Sequence, residues 1–248
     1  MRRLLALCLV VPLLAACGGG SAGTHPVTSG TAATSGTAAP AEPIAPCVDP
    51  RDPDLTSVRL RPAAGREVDV VLAGTGPTAL VFSNMSGETL CDWLPTALIY
   101  AKQGYRVALY EYSSHEQSPN TDLTDVVGEL RRRGATKIAL VGASMGGTTS
   151  IAVANSVHAV AVFVLSAPAT YGLMYAVTAV AAVTVPSWFG VGEQDAGFLQ
   201  SAKDLYASSA AKNKHLEILP TGAHGTALLG AAVDRMLADF LHANAPAG

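Results

Sequence analysis

Short apolar runs alternate with longer mixed segments along the chain from about residue 55 to its end. The apolar runs are rich in β-branched residues, which is typical of buried strands. We predict strands at 57–61, 67–72, 78–82, 105–112, 137–141, 159–165, 188–191 and 216–219. The segments between them predict helices at 91–103, 122–133, 148–155, 171–183, 198–211 and 227–242.

This order of elements predicts an α/β fold with a mostly parallel sheet and helices on both faces. The first two strands are expected to form an antiparallel pair, because a turn containing Pro62 and Gly65 separates them. Only a short segment lies between the strand at 159–165 and Pro186. We therefore predict a minimal cap made of a single helix.

The first residues of the chain show a different pattern. Met1 is followed by two arginines, residues 4–14 are apolar, and small residues lead to Cys17. This apolar stretch is too short to span a bilayer and is typical of a secretion signal. The sequence Leu14-Ala15-Ala16-Cys17 resembles the lipobox of bacterial lipoproteins, which implies cleavage before Cys17 and lipidation of this cysteine. An ordinary secretory signal cut nearby is the alternative, and both interpretations predict an exported protein.

Residues 17–43 consist mainly of Gly, Ser, Thr, Ala and Pro. A segment of this composition buries too little apolar surface to become ordered. We predict a lipoprotein signal peptide at 1–16, a lipid-anchored flexible linker at 17–43 and a globular domain at 44–248. Several acyl chains on Cys17 would anchor the protein stably at the bacterial cell membrane or envelope.

The composition narrows the classes of function. Charged residues make up 14% of the chain, and the formal net charge is −3 at pH 7, so nucleic acid is not an expected partner. Outside the signal and Cys17, the cysteines are Cys47 and Cys91. In an oxidising compartment we predict a disulfide between them, with two free thiols as the alternative. Their spacing is not that of a metal site, and we predict no metal and no cofactor.

The candidate chemistry is centred on Ser144. The apolar run 137–141 leads into Gly142-Ala143-Ser144-Met145-Gly146, and a segment able to form a helix follows. Strand, Gly-x-Ser-x-Gly and helix are the context of a nucleophile elbow, in which a sharp turn presents a serine hydroxyl. Glycines are needed because side chains there would collide with neighbouring backbone. A glycine-rich turn without chemistry is the alternative.

A serine needs a base to accept its proton, and imidazole titrates near neutral pH. His224 lies between Gly222-Ala223 and Gly225, directly after the last predicted strand, where α/β sheets place their sites. Asp195 follows the preceding strand and would orient the His224 ring. Glu193 is its competitor, and a helix N-cap is the alternative role for Asp195.

The strand, the Gly-Ala-Ser-Met-Gly-Gly run and the later acid and histidine in that order resemble the α/β-hydrolase superfamily. The resemblance covers roughly residues 55 to 243, so the domain at 44–248 is expected to have an α/β-hydrolase fold. The superfamily uses the chain order Ser, Asp, His. Its pattern of a glycine three places before the acid matches Gly192 and Asp195, and this favours Asp195 over Glu193.

The resemblance also implies an oxyanion hole. The N–H of Met145 would be one donor, and the second would come from the loop after the third strand, with Ser86 preferred and Met85 as the alternative. At 110–118 many members have an Asp-x-Arg-Gly-His-Gly-x-Ser-like loop. His115 and Ser118 match it here, and we assign His115 a structural role.

These features predict a serine hydrolase that cleaves a carboxylic ester through an acyl-enzyme on Ser144. The expected partner is a small-molecule or lipid ester, besides the membrane contacted through lipidated Cys17. A peptidase or an acyltransferase with the same triad is an alternative, because the motif does not separate these reactions. A non-catalytic envelope lipoprotein that uses the fold as a binding module is the other alternative. The sequence does not indicate an oligomeric state.

Overall fold

The structure, a computed structural model, describes residues 44–63, 66–115, 117 and 119–248, all within one compact unit. Eight strands form one sheet in the order β1-β2-β4-β3-β5-β6-β7-β8. The pairs β1–β2 and β2–β4 are antiparallel, and all the others are parallel. The strands are β1 (Leu55–Ala63), β2 (Arg66–Ala73), β3 (Thr78–Ser83), β4 (Arg106–Tyr110), β5 (Lys137–Ala143), β6 (Ala161–Leu165), β7 (Ser187–Gly192) and β8 (Lys214–Leu219).

Helices cover both faces of the sheet, as the pattern predicts. The α-helices are α1 (Leu94–Lys102), α2 (Pro119–Arg132), α3 (Met145–Val153), α4 (Ala176–Ala179), α5 (Phe198–Ser208) and α6 (Ala231–Asn244). Buried residues of α2, α3, α4 and α5 pack in one core cluster, and those of α1 and α6 pack in a second cluster. The central strand β3 is buried at every position, which explains its continuous apolar sequence.

The predicted disulfide is present, with Cys47 and Cys91 joined at 2.04 Å. It fastens the start of the domain to a short 3-10 helix, Leu90–Asp92, that precedes α1. Val48, beside Cys47, is buried in the same cluster as Leu90 and Trp93. The bond therefore holds together two segments that also share apolar contacts.

The predicted cap helix at 171–183 is wrong in its length. An isolated bridge joins Tyr171 to Met174, and Gly172 has a positive φ of 53°. A left-handed residue interrupts helical backbone, so only the four residues of α4 and a 3-10 turn at Val180–Ala182 remain helical. The cap is small, as expected, but it is built largely from loop.

The predicted signal peptide, Cys17 and the linker at 17–43 lie outside the described residues and stay predictions. None of the helices in 44–63, 66–115, 117 and 119–248 is long and apolar enough to cross a membrane.

Candidate active site

Ser144 lies at a sharp turn between β5 and α3. Its backbone has φ 49° and ψ −119°, a conformation that is unfavourable for a residue with a side chain. The Ser144 N–H donates to the carbonyl of Leu165 at the end of β6 (2.8 Å), which helps to hold the turn. Helix α3 begins at Met145, three residues earlier than predicted. The strand–turn–helix geometry is that of the predicted nucleophile elbow.

The two glycines of the motif have the predicted steric role. A Cβ at Gly142 would collide with the backbone of Gly146. A Cβ at Gly146 would lie 2.6 Å from the carbonyl oxygen of Asn84, in the loop after β3. The turn therefore packs directly on the end of the neighbouring strand, and Ser144 itself is 9% exposed.

His224 and Asp195 are joined by a hydrogen bond. His224 Nδ1 lies 2.9 Å from Asp195 Oδ2, although 29 residues separate them along the chain. The Asp195 side chain is 6% exposed and that of His224 is 32% exposed. A carboxylate can only accept, so Nδ1 carries the proton and the lone pair of Nε2 is left for another partner. The ring of Phe198 packs on the imidazole with centroids 4.1 Å apart.

Of the two candidate acids, Asp195 and Glu193, the one hydrogen-bonded to His224 is Asp195. Glu193 is exposed, whereas Asp195 is buried at the end of β7. The N-cap of α5 is Gly197, and no side chain caps this helix. The Asp195 carboxylate contacts the imidazole instead of serving the alternative role of a cap.

Gly192 allows the loop after β8 to lie close to the end of β7. A Cβ on Gly192 would lie 2.6 Å from the carbonyl oxygen of Thr221 and 2.7 Å from that of Ala223. Backbone atoms cannot yield as flexible side chains can. The loop that carries His224 therefore approaches the end of β7 only because residue 192 has no side chain.

The sequence matches no family model, and no curated protein matches it significantly. Solved structures of several hydrolases have a similar fold. An esterase from Pyrococcus furiosus has a TM-score of 0.67 at 13% identity, over 77% of this chain and 92% of that chain. An esterase domain from Rhodothermus marinus has a TM-score of 0.62 at 14% identity, over 77% and 98%. Dienelactone hydrolase from Anabaena variabilis has a TM-score of 0.57 at 19% identity, over 77% and 99%.

The chain has the α/β-hydrolase fold. Open parallel sheets of this kind bind ligands outside the carboxyl ends of their strands. Ser144, Asp195 and His224 follow β5, β7 and β8 at that edge. The fold and the hydrogen-bonded residues thus indicate the same location.

Of the predicted oxyanion donors, Met145 is part of the elbow, and the other two candidates lie in the loop after β3, whose residue Asn84 is close to Gly146. Met145 is the first residue of α3, so its N–H has no acceptor within the helix. In the loop after β3, Ser86 is exposed and Met85 is half-buried. Gly225 has a positive φ of 55°, and a Cβ there would collide with the sulfur of Met85. The loop after β3 therefore contacts the loop that carries His224.

The loop after β4 departs from the superfamily pattern but has a structural role. The Glu111 carboxylate accepts the N–H of Leu90 (2.8 Å) and so holds the 3-10 turn before α1. Burial raises the pKa of Glu111, and the hydrogen bond from Leu90 opposes this shift.

The His115 ring packs edge-on against Tyr112, with centroids 5.5 Å apart. Burial raises the pKa of Tyr112 to about 12 and keeps its hydroxyl neutral.

Ser166 is a residue of the site that sequence reasoning missed. Its hydroxyl is 2.7 Å from Asp195 Oδ2, and the N–H of Gly225 donates to it at 3.0 Å. In the sequence, Ser166 is simply the first residue of the short segment between the predicted strand at 159–165 and Pro186. Its location directly after β6, between the strands that lead to Ser144 and Asp195, was the signal that could have identified it.

Two absences complete the description of the site. In the described part of the chain, no group of three or more His, Cys, Asp or Glu side chains could hold a metal ion. Among the same residues, the His224 side chain is hydrogen-bonded to Asp195 and not to Ser144. Catalytic hydrogen bonds are often long without substrate and shorten when it binds.

Proposed function

We propose that this protein is a serine hydrolase that cleaves a carboxylic ester through an acyl-enzyme on Ser144. The observation that carries the proposal is the Asp195–His224 hydrogen bond, formed at the same sheet edge as a serine with a φ of 49°. Strained residues held by their surroundings are concentrated at active sites. The esterases with a similar fold support the same class of reaction.

In the first half of the reaction, His224 acts as the general base. Its Nε2 accepts the Ser144 proton while the Ser144 Oγ attacks the ester carbonyl carbon. Asp195 holds the ring with Nε2 directed outward and stabilises the imidazolium that forms. The C–O bond to the alcohol then breaks, and the imidazolium donates its proton to the leaving oxygen. The products of this half are an alcohol and the acyl-enzyme.

Water completes the cycle. His224 takes a proton from water, whose oxygen attacks the acyl carbon, and Ser144 leaves with the proton from the imidazolium. Each half passes through a tetrahedral oxyanion. The N–H of Met145 and an N–H of Ser86 or Met85 would donate to this oxygen, and each such donor contributes about 2.7–4 kcal/mol of transition-state stabilisation.

The small cap supports the proposed substrate class. A four-residue helix and its loops form a small cover over the strand ends, which suits a small-molecule or lipid ester entering an open site. The loop before α4 carries exposed apolar side chains, since Leu173 is 84% exposed and Tyr175 is 58% exposed. Such side chains favour esters with an apolar portion.

Labelling with a fluorophosphonate tests the proposal. The full-length wild-type chain is expected to be labelled, the S144A variant not at all, and the H224A variant at least about 100-fold more slowly, because the general base is lost. Ser187→Ala is a matched control, since Ser187 is buried at the other end of β7 and donates to Val185. Labelling in S144A equal to that of wild type would reject Ser144 as the nucleophile.

A non-catalytic binding module is the second candidate, and the observation that favours it is the absence of a Ser144–His224 hydrogen bond among the described residues. The same experiment separates the two. A folded wild-type chain that is not labelled would favour the binding module over the serine hydrolase, since an activated serine is the property that the probe detects.

Substitution at Gly192 tests whether the close approach of the strand ends matters for the reaction. We expect Gly192→Ala to lower kcat/KM for p-nitrophenyl acetate by roughly 10–100-fold, because the new methyl group displaces the loop that positions His224. Gly128→Ala is the control, since its Cβ would meet open space within α2. That variant should keep wild-type activity and gain about 0.5–1 kcal/mol in the free energy of unfolding. Unchanged kinetics in Gly192→Ala would contradict this account.

A further inference from the structure

We propose that Ser166 is a positioning residue for the reaction, which holds the Asp195 carboxylate and the backbone beside His224 in one arrangement. The inference rests on the proposed function and adds a fourth side chain to it. Ser166 would not touch the substrate. It would act through the aspartate and the histidine that it links.

The direction of both hydrogen bonds at Ser166 is settled by the chemistry of its partners. The backbone N–H of Gly225 can only donate, so the Ser166 oxygen accepts it at 3.0 Å. The hydroxyl proton is then available for Asp195 Oδ2 at 2.7 Å, and a carboxylate can only accept. One hydroxyl therefore uses its donor on the acid and an acceptor site on the residue that follows His224.

Asp195 Oδ2 is the oxygen on which two donors converge. It receives the Ser166 hydroxyl and also lies 2.9 Å from His224 Nδ1. Because both bonds end on the same atom, the serine fixes the rotation of the carboxylate about its side chain. It also fixes the position of Gly225, and with it the backbone from which the imidazole projects. Both partners of the Asp195–His224 bond are thus held by one group.

The backbone of Ser166 ties the same residue to the neighbouring strands. Its N–H donates to the carbonyl of Gly190 in β7 at 2.7 Å. The carbonyl of the preceding residue, Leu165, accepts the N–H of Ser144 at 2.8 Å. The end of β6 therefore touches the nucleophile on one side and the strand of the acid on the other. The side chain of Ser166 then connects to the loop after β8.

The backbone of Ser166 has a conformation that is strained for a residue with a side chain. Ser166 has a φ of 49°, which glycine adopts more readily than any residue with a Cβ. It is fully buried, so contact with water does not explain the hydroxyl. A strained conformation retained next to the Asp195–His224 pair indicates a role for the side chain that glycine would lose.

Two substitutions separate the hydroxyl from the backbone. Ser166→Ala removes the hydroxyl and keeps the strained Cβ, whereas Ser166→Gly removes the hydroxyl and relieves the strain. With full-length protein and p-nitrophenyl acetate, we expect kcat to fall about 10–100-fold in both variants and KM to change less than about threefold. Ser166→Gly should have a higher melting temperature than Ser166→Ala. Ser187→Ala should match the wild type in kcat and KM.

The outcomes distinguish the inference from the function on which it rests. A wild-type chain that hydrolyses the ester, together with a Ser166→Gly variant of wild-type kcat, would overturn the positioning role and leave the serine hydrolase intact. A wild-type chain with neither labelling nor hydrolysis would overturn both. If Ser166→Ala fails to fold, Ser166→Gly carries the test, since it relieves the backbone strain. The positioning role would also be rejected if kcat were lost only in the variant with the lower melting temperature, Ser166→Ala, and not in Ser166→Gly.

Discussion

Replacing Asp195 by asparagine is expected to lower kcat/KM by about 10⁴-fold while leaving the fold intact. Asparagine has nearly the same shape as aspartate but no charge. It cannot stabilise the imidazolium that forms when His224 takes the Ser144 proton. When its amide group turns toward Nδ1, it also favours the wrong tautomer of the ring. Initial rates with p-nitrophenyl acetate, measured beside the melting temperature, check this expectation.

Glu193→Gln is the matched control for this substitution. It makes the same chemical change two residues nearer β7, on a side chain that is exposed. Activity within about twofold of wild type is expected. If Glu193→Gln abolished hydrolysis and Asp195→Asn did not, the acid of the proposed triad would be Glu193.

Loss of the Cys47–Cys91 disulfide is expected to lower stability by about 4 kcal/mol. The bond closes a sequence separation of 44 residues, and the chain-entropy model converts a loop of this length to about that value. For a chain of this size, the melting temperature should fall by about 8–16 °C. The comparison is between the wild type and a Cys47→Ser/Cys91→Ser variant, both without reductant.

Reductant provides the control for the disulfide. It should lower the melting temperature of the wild type toward that of the double variant and leave the variant unchanged. Hydrolysis at 25 °C should persist in the folded fraction, because the bond joins the start of the domain to the 3-10 helix before α1 and neither cysteine belongs to the residues proposed for the reaction. Equal melting temperatures for the two oxidised proteins would show that the bond contributes nothing.

Local patterns predicted most of the sheet. Strand β5 is apolar because every position after Lys137 is buried, and this continuous run identified it correctly. The antiparallel pair of β1 and β2 was predicted from the turn residues between them. The length of the cap helix was predicted wrongly: the apolar sequence at 171–183 favours one long helix, whereas the left-handed Gly172 interrupts its start and only Ala176–Ala179 and a 3-10 turn at Val180–Ala182 are helical.

The candidate site was predicted unevenly, and the reason is physical. Ser144 has a local signature, because the glycines of its turn must be at fixed positions in the chain. Asp195 was favoured over Glu193 by chain order and a glycine spacing that belong to a superfamily. Ser166 has no local signature at all. Its hydroxyl matters only because β6 lies between β5 and β7 in the sheet.

By itself, the sequence determined the alternation of strands and helices, the sharp turn at Ser144 and the cysteines available for a disulfide. Each of these depends on residues that are neighbours in the chain or on simple counting. Only the tertiary structure decided that Asp195, His224 and Ser166 meet. Their hydrogen bonds form across strand ends separated by tens of residues, and they require the close backbone approach that Gly192 permits. Strand order and such approaches arise from packing of the whole sheet, which no local pattern contains.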